Sequence, residues 1–288
     1  MARRWIHKAI AFVLFLVGFN FCEHFCHQKT DGFSLHRIRF SRASDASSHS
    51  PLDPAISSLL KQPFHYLDCG NQCFVFISDD GRYVLKFFKY AQPTVPRFLT
   101  TIPLLNRFKP FRPHRFEKVM EKQQRDLQGY QLAFSRFKEE TGLVAVHLHP
   151  SEPRYPTVTL TDKLHIIHQI DLNTAPFILQ RKASPVYSQL KKWVAAGDIQ
   201  QAKQGIQSLI LLLQKRIHKE LQDDDVHFYS NFGFMGSTAI QIDPGHFTLG
   251  SSAHPEAELQ TLLQPLIRWC EKYAPSLLPL QAYETSSS

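Results

Sequence analysis

Oxygen ligands suited to Mg²⁺ are concentrated in the last third of the sequence. Three consecutive acids, Asp223, Asp224 and Asp225, are followed by Asn231 and then by Asp243. Carboxylate and amide oxygens can hold a Mg²⁺ ion that bridges phosphates, and a further carboxylate can orient or deprotonate an attacking hydroxyl. Residues of these types could therefore form a Mg²⁺ site with an adjacent proton acceptor. The alternative is structural: the acidic triplet caps a turn, and Asp243 ends a strand before a Pro-Gly turn.

A lysine within an apolar run is the second candidate for chemistry. Alternating apolar residues on both sides of Asp79-Asp80-Gly81 predict a β-hairpin, because an Asp-Gly pair supplies the positive φ of a tight turn. The second strand of this hairpin carries Lys86. An ammonium group among apolar neighbours needs an acidic partner or a phosphate. Lys86 is thus a candidate phosphate ligand, with an ordinary exposed strand lysine as the alternative.

The elements that must position these residues include both helices and strands. Hydrophobic periodicity predicts helices over 117–140, 187–195 and 199–221, and strands over 143–149, 157–164 and 177–180. Asn231 is predicted to open a short strand, and Asp243 to close its hairpin partner. These elements predict an α+β fold.

The first hairpin resembles the nucleotide-binding part of the protein-kinase family. That family has a loop of the form G-x-G-x-x-G-x-V, followed by a strand whose lysine contacts phosphate oxygens and a helix glutamate. In this register the loop positions are Asp68, Gly70, Cys73 and Val75, with Lys86 after the turn. The resemblance implies that Gly70 and Val75 contact ATP and that Lys86 is a catalytic, phosphate-binding residue. Only the central glycine of the loop is kept.

The helix over 117–140 would supply the acid that pairs with the lysine. Glu121 fits best by helical placement, and Asp126 and Glu117 are alternatives between which the sequence does not decide.

The acidic loop and the last hairpin resemble the kinase catalytic loop and metal-binding motif. This resemblance implies that Asn231 and Asp243 bind Mg²⁺ and that Asp225 is the catalytic base, with Asp223 or Asp224 as substitutes.

The departures from the family pattern lower the expected activity. Asp225 and Asn231 are one position further apart than in the family motif, the His-Arg pair before the base is missing, and Pro244 replaces the aromatic residue after Asp243. Few residues follow Asp243. We therefore expect a divergent, bacterial-type member with a two-lobed fold: an antiparallel N-lobe sheet with a helix, and a reduced helical C-lobe. The expected function is an ATP-dependent, degenerate phosphotransferase, and the alternative is an inactive pseudokinase scaffold.

The charge balance favours negatively charged partners. Lys and Arg exceed Asp and Glu by 8, and basic and aromatic residues alternate from Arg97 to Arg125. This basic face could bind a protein partner or anionic lipid, although long basic stems also cover apolar surface. Nucleotide is the expected ligand, and nucleic acid is not an expected partner.

The N-terminus has the pattern of a secretory signal or membrane anchor. Arg3, Arg4 and Lys8 precede an apolar run from Ala9 to Phe19. The protein is therefore expected to be membrane-anchored or secreted. The charges on the two sides of the apolar run do not decide on which side of the membrane it lies. The predicted division is a signal or anchor over 1–28, a linker over 29–58, an N-lobe over 59–182, a C-lobe over 183–280 and a disordered tail over 281–288.

Five cysteines form an odd set without a zinc-ligand pattern. Cys69 and Cys73 share one short segment. They are interpreted as structural thiols, with a redox or metal element as the alternative.

Overall fold

The structure is a computed structural model that describes residues 2–39, 52–89, 113–149 and 153–280. It divides into two compact units. The described parts of the first unit come from residues 1–80, 85–90 and 149–177, and those of the second come from 81–84, 91–148 and 178–288. Each unit contains helices and strands, so the predicted α+β class is confirmed.

The elements are numbered in chain order. The helices are α1 Ala2–Thr30, α2 Pro54–Leu59, α3 Pro113–Arg136, α4 Lys138–Thr141, α5 Val186–Ala196, α6 Ile199–His218 and α7 Pro255–Tyr273. The strands are β1 Phe64–Cys69, β2 Cys73–Ser78, β3 Tyr83–Phe88, β4 Leu143–His147, β5 Thr157–Thr161, β6 Ile167–Asp171, β7 Phe177–Arg181, β8 Ser184–Pro185, β9 Leu221–Asp223, β10 Phe232–Met235, β11 Thr238–Gln241 and β12 Phe247–Leu249. Short 3-10 turns cover Leu35–Ile38, Leu172–Thr174 and Pro275–Leu277.

The strands of the first unit lie in the order β3-β2-β1-β5-β6. β1 pairs antiparallel with β2, with Phe64 opposite Ser78, and parallel with β5. β5 pairs antiparallel with β6. β2 and β3 form the predicted hairpin, in which Gly81 has a φ of 69°. The positive φ is the conformation that the Asp-Gly signal predicted.

Part of the predicted linker packs into the first unit. Phe33 is buried, with its ring centre 5.2 Å from that of Phe74 and 5.3 Å from that of Phe76. Ile38 is fully buried. The sequence-based interpretation missed these contacts because isolated apolar residues in a polar stretch give no periodic signal.

Several large apolar side chains of the first helix, α1, are exposed to solvent. Trp5, Phe12, Phe15 and Phe21 are among its exposed large side chains. Among the described residues, no helix has the length and apolarity that crossing a membrane requires.

The second unit places α3, α5, α6 and α7 with the pair β4 and β7 and with two small sheets. β10 lies between β11 and β8, and β9 pairs with β12. α6 buries the apolar face that its periodicity predicted, which includes Ile206, Leu209 and Leu213. α3, which the prediction assigned to the N-lobe, lies in the second unit.

Most predicted elements are found within a few residues of their predicted bounds. β6 was not predicted, because its apolar residues are too few for a clear alternation. Residues 97–112 of the basic stretch, residues 40–51 of the linker and the tail over 281–288 lie outside the described residues.

Candidate active site in the second unit

The last hairpin brings the two predicted metal ligands to one end. β10 and β11 pair antiparallel with Phe232 opposite Gln241, so the residues just outside the ladder also meet. The backbone N–H of Ile242 donates to the carbonyl of Asn231 at 2.7 Å, and that of Asp243 points to the same carbonyl at 3.4 Å. Asn231 and Asp243 are thus neighbours through their main chains, although they are separated in sequence.

Asn231 also fixes the conformation of the acidic loop. Its Nδ2 donates to the backbone carbonyl of Asp225 at 2.7 Å and to the Asp225 carboxylate at 3.2 Å. Its Oδ1 accepts from the Ser230 hydroxyl at 2.7 Å. Asn231 is buried and Asp225 is half-buried. The predicted catalytic base and the predicted metal ligand are therefore in direct contact.

The other two acids of the triplet have different environments. Asp223 accepts from the Gln241 side chain at 2.5 Å and lies 3.4 Å from the Arg216 guanidinium, which is almost fully buried. Burial raises the pKa of Asp223, although the Asp225 backbone N–H and Arg216 favour its charged form. Asp224 is exposed. Asp223 therefore anchors the loop, and Asp225 is the acid that faces the rest of the cluster.

Helix α3 packs tightly against the turn that follows Asp243. The Tyr130 hydroxyl donates to Asp243 Oδ1 at 2.8 Å, and the Gly245 backbone N–H reaches the same oxygen at 3.2 Å. A Cβ on Gly129 would lie 2.1 Å from the Gly245 carbonyl oxygen. Only glycine permits this approach of the helix to the turn.

His246 connects Asp225 to α3. Its Nδ1 lies 3.3 Å from Asp225 Oδ2, and its Nε2 lies 3.4 Å from Asp126 Oδ1. Burial raises the pKa of Asp126, and the carboxylate of Asp243 acts in the same direction, whereas His246 lowers it. His227 approaches the other oxygen of Asp225 at 3.0 Å. The carboxylates of Asp126, Asp225 and Asp243 thus lie in one region, with the imidazoles of His227 and His246 beside Asp225.

The donor set fits a Mg²⁺ ion that is also bound by phosphates. Both hydrogen bonds that the described residues give to the Asp243 carboxylate reach Oδ1, so Oδ2 carries unused lone pairs. In the described ranges, no three His, Cys, Asp or Glu side chains are arranged to hold a metal ion by themselves. Mg²⁺ commonly uses one or two carboxylates together with phosphates and water, so the ligands Asp243 and Asn231 match that mode.

The predicted residues of the first unit lie in and around its hairpins. Lys86 is in β3 with only 7% of its surface exposed. Gly70 is exposed in the turn between β1 and β2, and its N–H donates to the Cys73 carbonyl at 3.0 Å. Val75 is half-buried in β2 opposite Asp68. The roles of Lys86, Gly70 and Val75 toward a nucleotide stay predictions.

The acids proposed as partners of Lys86 differ in exposure. Glu121 is exposed on α3, and Asp126, one turn further along, is buried. The side chain of Glu117 lies outside the described residues. Because Lys86 is in the first unit and these acids are in the second, the pairing stays a prediction.

Sequence reasoning did not single out Gly129, Tyr130 or His246. The signal for the first two was present: Asp126, Gly129 and Tyr130 are spaced to lie on one helix face. His246 gave no signal, because one histidine after a turn has no spacing pattern to recognise.

A separate cleft of about 600 Å³ lies between the C-terminal end of α6 and the N-terminal end of α7. Its lining includes Ile217, His218, His254 and Leu259. None of the predicted site residues lines it.

Comparison with known proteins gives matches among solved structures alone. No family model matches the sequence, and no curated protein matches it. One crystal structure of WbdD has a TM-score of 0.38 and 15% identity over 75% of this chain and 42% of the WbdD chain. Another, described as the bifunctional kinase-methyltransferase WbdD, has a TM-score of 0.35 and 15% identity over 73% of this chain and 39% of that chain.

A third structure is the complex of Rv3197 with erythromycin from Mycobacterium tuberculosis. It has a TM-score of 0.32 and 13% identity, over 91% of this chain and 70% of that chain. The chain spans about two fifths of the WbdD chains that it matches. At these TM-scores the likeness carries no argument about the site, which is interpreted from its own contacts.

Proposed function

We propose that the protein is a kinase-like, Mg²⁺-dependent nucleotide-binding protein of the phosphotransferase type. The observation that supports this proposal best is the hairpin end at which Asn231 and Asp243 meet, with Asp225 hydrogen-bonded to Asn231. Phosphoryl transfer needs this combination of hard oxygen ligands and a nearby carboxylate.

Each residue has a distinct proposed role. Asp243 and Asn231 would hold Mg²⁺, which when bound neutralises charge on the nucleotide phosphates. Tyr130 and the Gly245 N–H orient the Asp243 carboxylate through Oδ1. Asp225 would accept the proton of an acceptor hydroxyl, and Asn231 fixes its orientation. From the sequence resemblance, Lys86 would bind phosphates beside Gly70 and Val75, with Glu121 or Asp126 as the acid of α3.

The first experiment measures thermal stability with Mg²⁺-ATP. Binding to the folded state raises the unfolding temperature by mass action. We expect a rise for the wild type that is lost in Asp243→Asn and strongly reduced in Lys86→Ala and Asn231→Ala. Asp224→Asn is the matched control, because this acid is exposed in the same loop and should keep the full rise. Absence of a rise in the wild type at saturating Mg²⁺-ATP rejects nucleotide binding.

A second experiment separates binding from transfer. Asp225→Asn should keep the Mg²⁺-ATP-dependent rise but lose turnover, measured as ADP release in the presence of candidate hydroxyl acceptors. Loss of a proton acceptor typically lowers the rate by about 10²–10⁴-fold. Equal turnover in Asp225→Asn and the wild type would remove Asp225 from the reaction.

The alternative function is an inactive scaffold. It is favoured by the contacts of Asp225, whose carboxylate oxygens already lie near His227, His246 and Asn231 and are therefore partly occupied. A scaffold can bind Mg²⁺-ATP without ADP release, or bind no nucleotide and use its basic residues to contact a protein or anionic lipid.

We also propose that α1 tethers the protein to a membrane or directs its secretion, since several of its large apolar side chains, such as Trp5, Phe12 and Phe15, are exposed. Flotation of the protein with anionic vesicles, compared between the full chain and a chain that starts at residue 29, tests the tether. A C-terminal reporter fusion tests on which side of the membrane the protein lies.

A further inference from the structure

A cysteine and a lysine lie side by side at the turn between β1 and β2. Lys89 Nζ is 2.8 Å from Cys69 Sγ. The same amine donates to the Gly70 carbonyl and lies 4.8 Å from the centre of the Phe74 ring. The backbone N–H of Lys89 donates to the Gln72 carbonyl at 2.8 Å. Contacts of both its backbone N–H and its side-chain amine thus hold Lys89 beside the sulfur.

Cys69 differs in exposure from the buried cysteines of the described residues. Cys69 is half-buried and forms no disulfide, and its Sγ lies 3.5 Å from the Asp31 carbonyl oxygen. Cys270 provides the contrast, since it is fully buried and burial raises the pKa of its thiol to about 11. Buried thiols of that kind are inert, whereas accessible thiols beside lysine are the ones that oxidants reach.

We propose that Cys69 and Lys89 form a reversible redox crosslink, a sulfenamide bond between Sγ and Nζ. The proposal does not depend on the proposed nucleotide function, because neither Cys69 nor Lys89 is a proposed phosphate, metal or proton ligand. The site does adjoin Gly70, a proposed nucleotide contact, whose carbonyl accepts from the Lys89 amine.

The chemistry needs one equivalent of hydrogen peroxide. Peroxide transfers an oxygen atom to the Cys69 sulfur, which is oxidised by two electrons to a sulfenic acid, and leaves as water. The Lys89 ammonium loses one proton to solvent. The neutral amine then attacks the sulfur, forming the S–N bond, and the sulfenic hydroxyl departs with a second amine proton as water. The chain loses two hydrogen atoms in total. A first added thiol attacks the sulfur and releases the Lys89 amine, which leaves a mixed disulfide on Cys69. A second thiol group then attacks this disulfide and restores the cysteine, and the two added thiol groups become a disulfide.

The distance between the two atoms makes this capture favourable. A sulfenic acid normally reacts with a second thiol or with a backbone nitrogen. Here the amine is already in hydrogen-bonding contact with the sulfur, so the reacting atoms start in a near-attack arrangement. Cys73 is the competing partner, because it lies at the start of β2 across the same turn, but it is buried.

The test is mass spectrometry of the full-length chain after treatment with one equivalent of peroxide. Digestion with an Asp-cleaving protease should give a Cys69 peptide joined to a Lys89 peptide, lighter than their sum by two hydrogen atoms. Dithiothreitol should separate them. We expect the link in the wild type and in Cys73→Ser, and its absence in Cys69→Ser and Lys89→Arg.

Each alternative product overturns the proposal. A bond from Cys69 to Cys73 that persists in Lys89→Arg means that the pair is a dithiol switch without the lysine. Accumulation of a dimedone-reactive sulfenic acid in the wild type, at the same level as in Lys89→Arg, means that the amine does not capture it. A link to Lys86 in place of Lys89 means that the turn rearranges before reaction.

Discussion

Each unit contains a polar cluster around a carboxyl group, and the pKa of that group is lowered in the first cluster and raised in the second. In the first unit the Asp31 carboxylate lies 2.8 Å from Lys163 Nζ and accepts from the Tyr66 hydroxyl at 2.5 Å. The Lys163 and Tyr66 hydrogen bonds hold the pKa of Asp31 below its ordinary value. Both of these donors, Lys163 and Tyr66, belong to the same unit as Asp31.

In the second unit the carboxylates of Asp126 and Asp243 lie close enough to affect each other. Burial holds the pKa of Asp126 above its ordinary value, the Asp243 carboxylate adds to the effect, and His246 compensates in part. Burial of neighbouring carboxylates is unfavourable, and a bound cation would stabilise them. This contrast supports the proposal that the second cluster is the functional one, whereas the Asp31 contacts stabilise the first unit.

The largest expected effect concerns the packing that holds the second cluster together. Gly129→Ala places a Cβ 2.1 Å from the Gly245 carbonyl oxygen, so α3 must move away from the turn after Asp243. We expect a loss of about 3 kcal/mol in the free energy of unfolding, measured by urea denaturation. Gly70→Ala is the control, because its Cβ would meet only the Cys73 carbonyl at 3.9 Å. Similar losses for the two variants would show that the close approach of α3 is not needed.

The second effect comes from the histidine between the acids. His246→Ala leaves the buried Asp126 and the half-buried Asp225 without the imidazole that lies between them. The expected loss in unfolding free energy is about 1–2 kcal/mol at pH 6. His246→Gln should recover part of it, since an amide can still donate a hydrogen bond. A variant as stable as the wild type would mean that His246 does not balance the cluster.

The third effect has the opposite sign. Asp126→Asn removes a charge that burial disfavours, so the variant should be more stable than the wild type by on the order of 1 kcal/mol at pH 7. A raised pKa means that the wild type loses stability as the pH rises from 3.8, the ordinary value, through the raised one. The gain should therefore vanish below about pH 3.8, when measured by denaturation across pH. A loss at pH 7 would show that the Asp126 charge is compensated.

The smallest effect is expected in the cluster of Asp31, Lys163 and Tyr66. Asp31→Asn should reduce stability by a few tenths of a kcal/mol at pH 7, because the Asp31–Lys163 pair is partly exposed and screened by solvent. A lowered pKa means that this stabilisation is present above the ordinary value of 3.8 and is lost as the pH falls through the lowered one. Equal signs for Asp31→Asn and Asp126→Asn at pH 7 would remove the contrast between the clusters.

Local sequence signals predicted the elements well and the site in part. The Asp79-Asp80-Gly81 turn, the buried face of α6 and the meeting of Asn231 with Asp243 at a hairpin end all depend on residues close in sequence. The bridge through His246 to Asp126 joins residues far apart in the chain, and no period or spacing encodes such a contact. The assignment of Asp225 over Asp223 was offered by resemblance, and the burial of Asp223 beside Arg216 gives it a physical reason.

The sequence by itself determined the alternation of helices and strands and the turns that need positive φ. It also determined the hairpin that ends in Asn231 and Asp243. Backbone propensity and side-chain periodicity act over short distances, so these features can be read locally. Only the tertiary structure decided that Asp126 is buried, that α3 packs at Gly129 against the turn after Asp243, and that Lys89 reaches Cys69. These outcomes depend on which surfaces pack together, and packing sets both desolvation and proximity for groups that the chain order keeps apart.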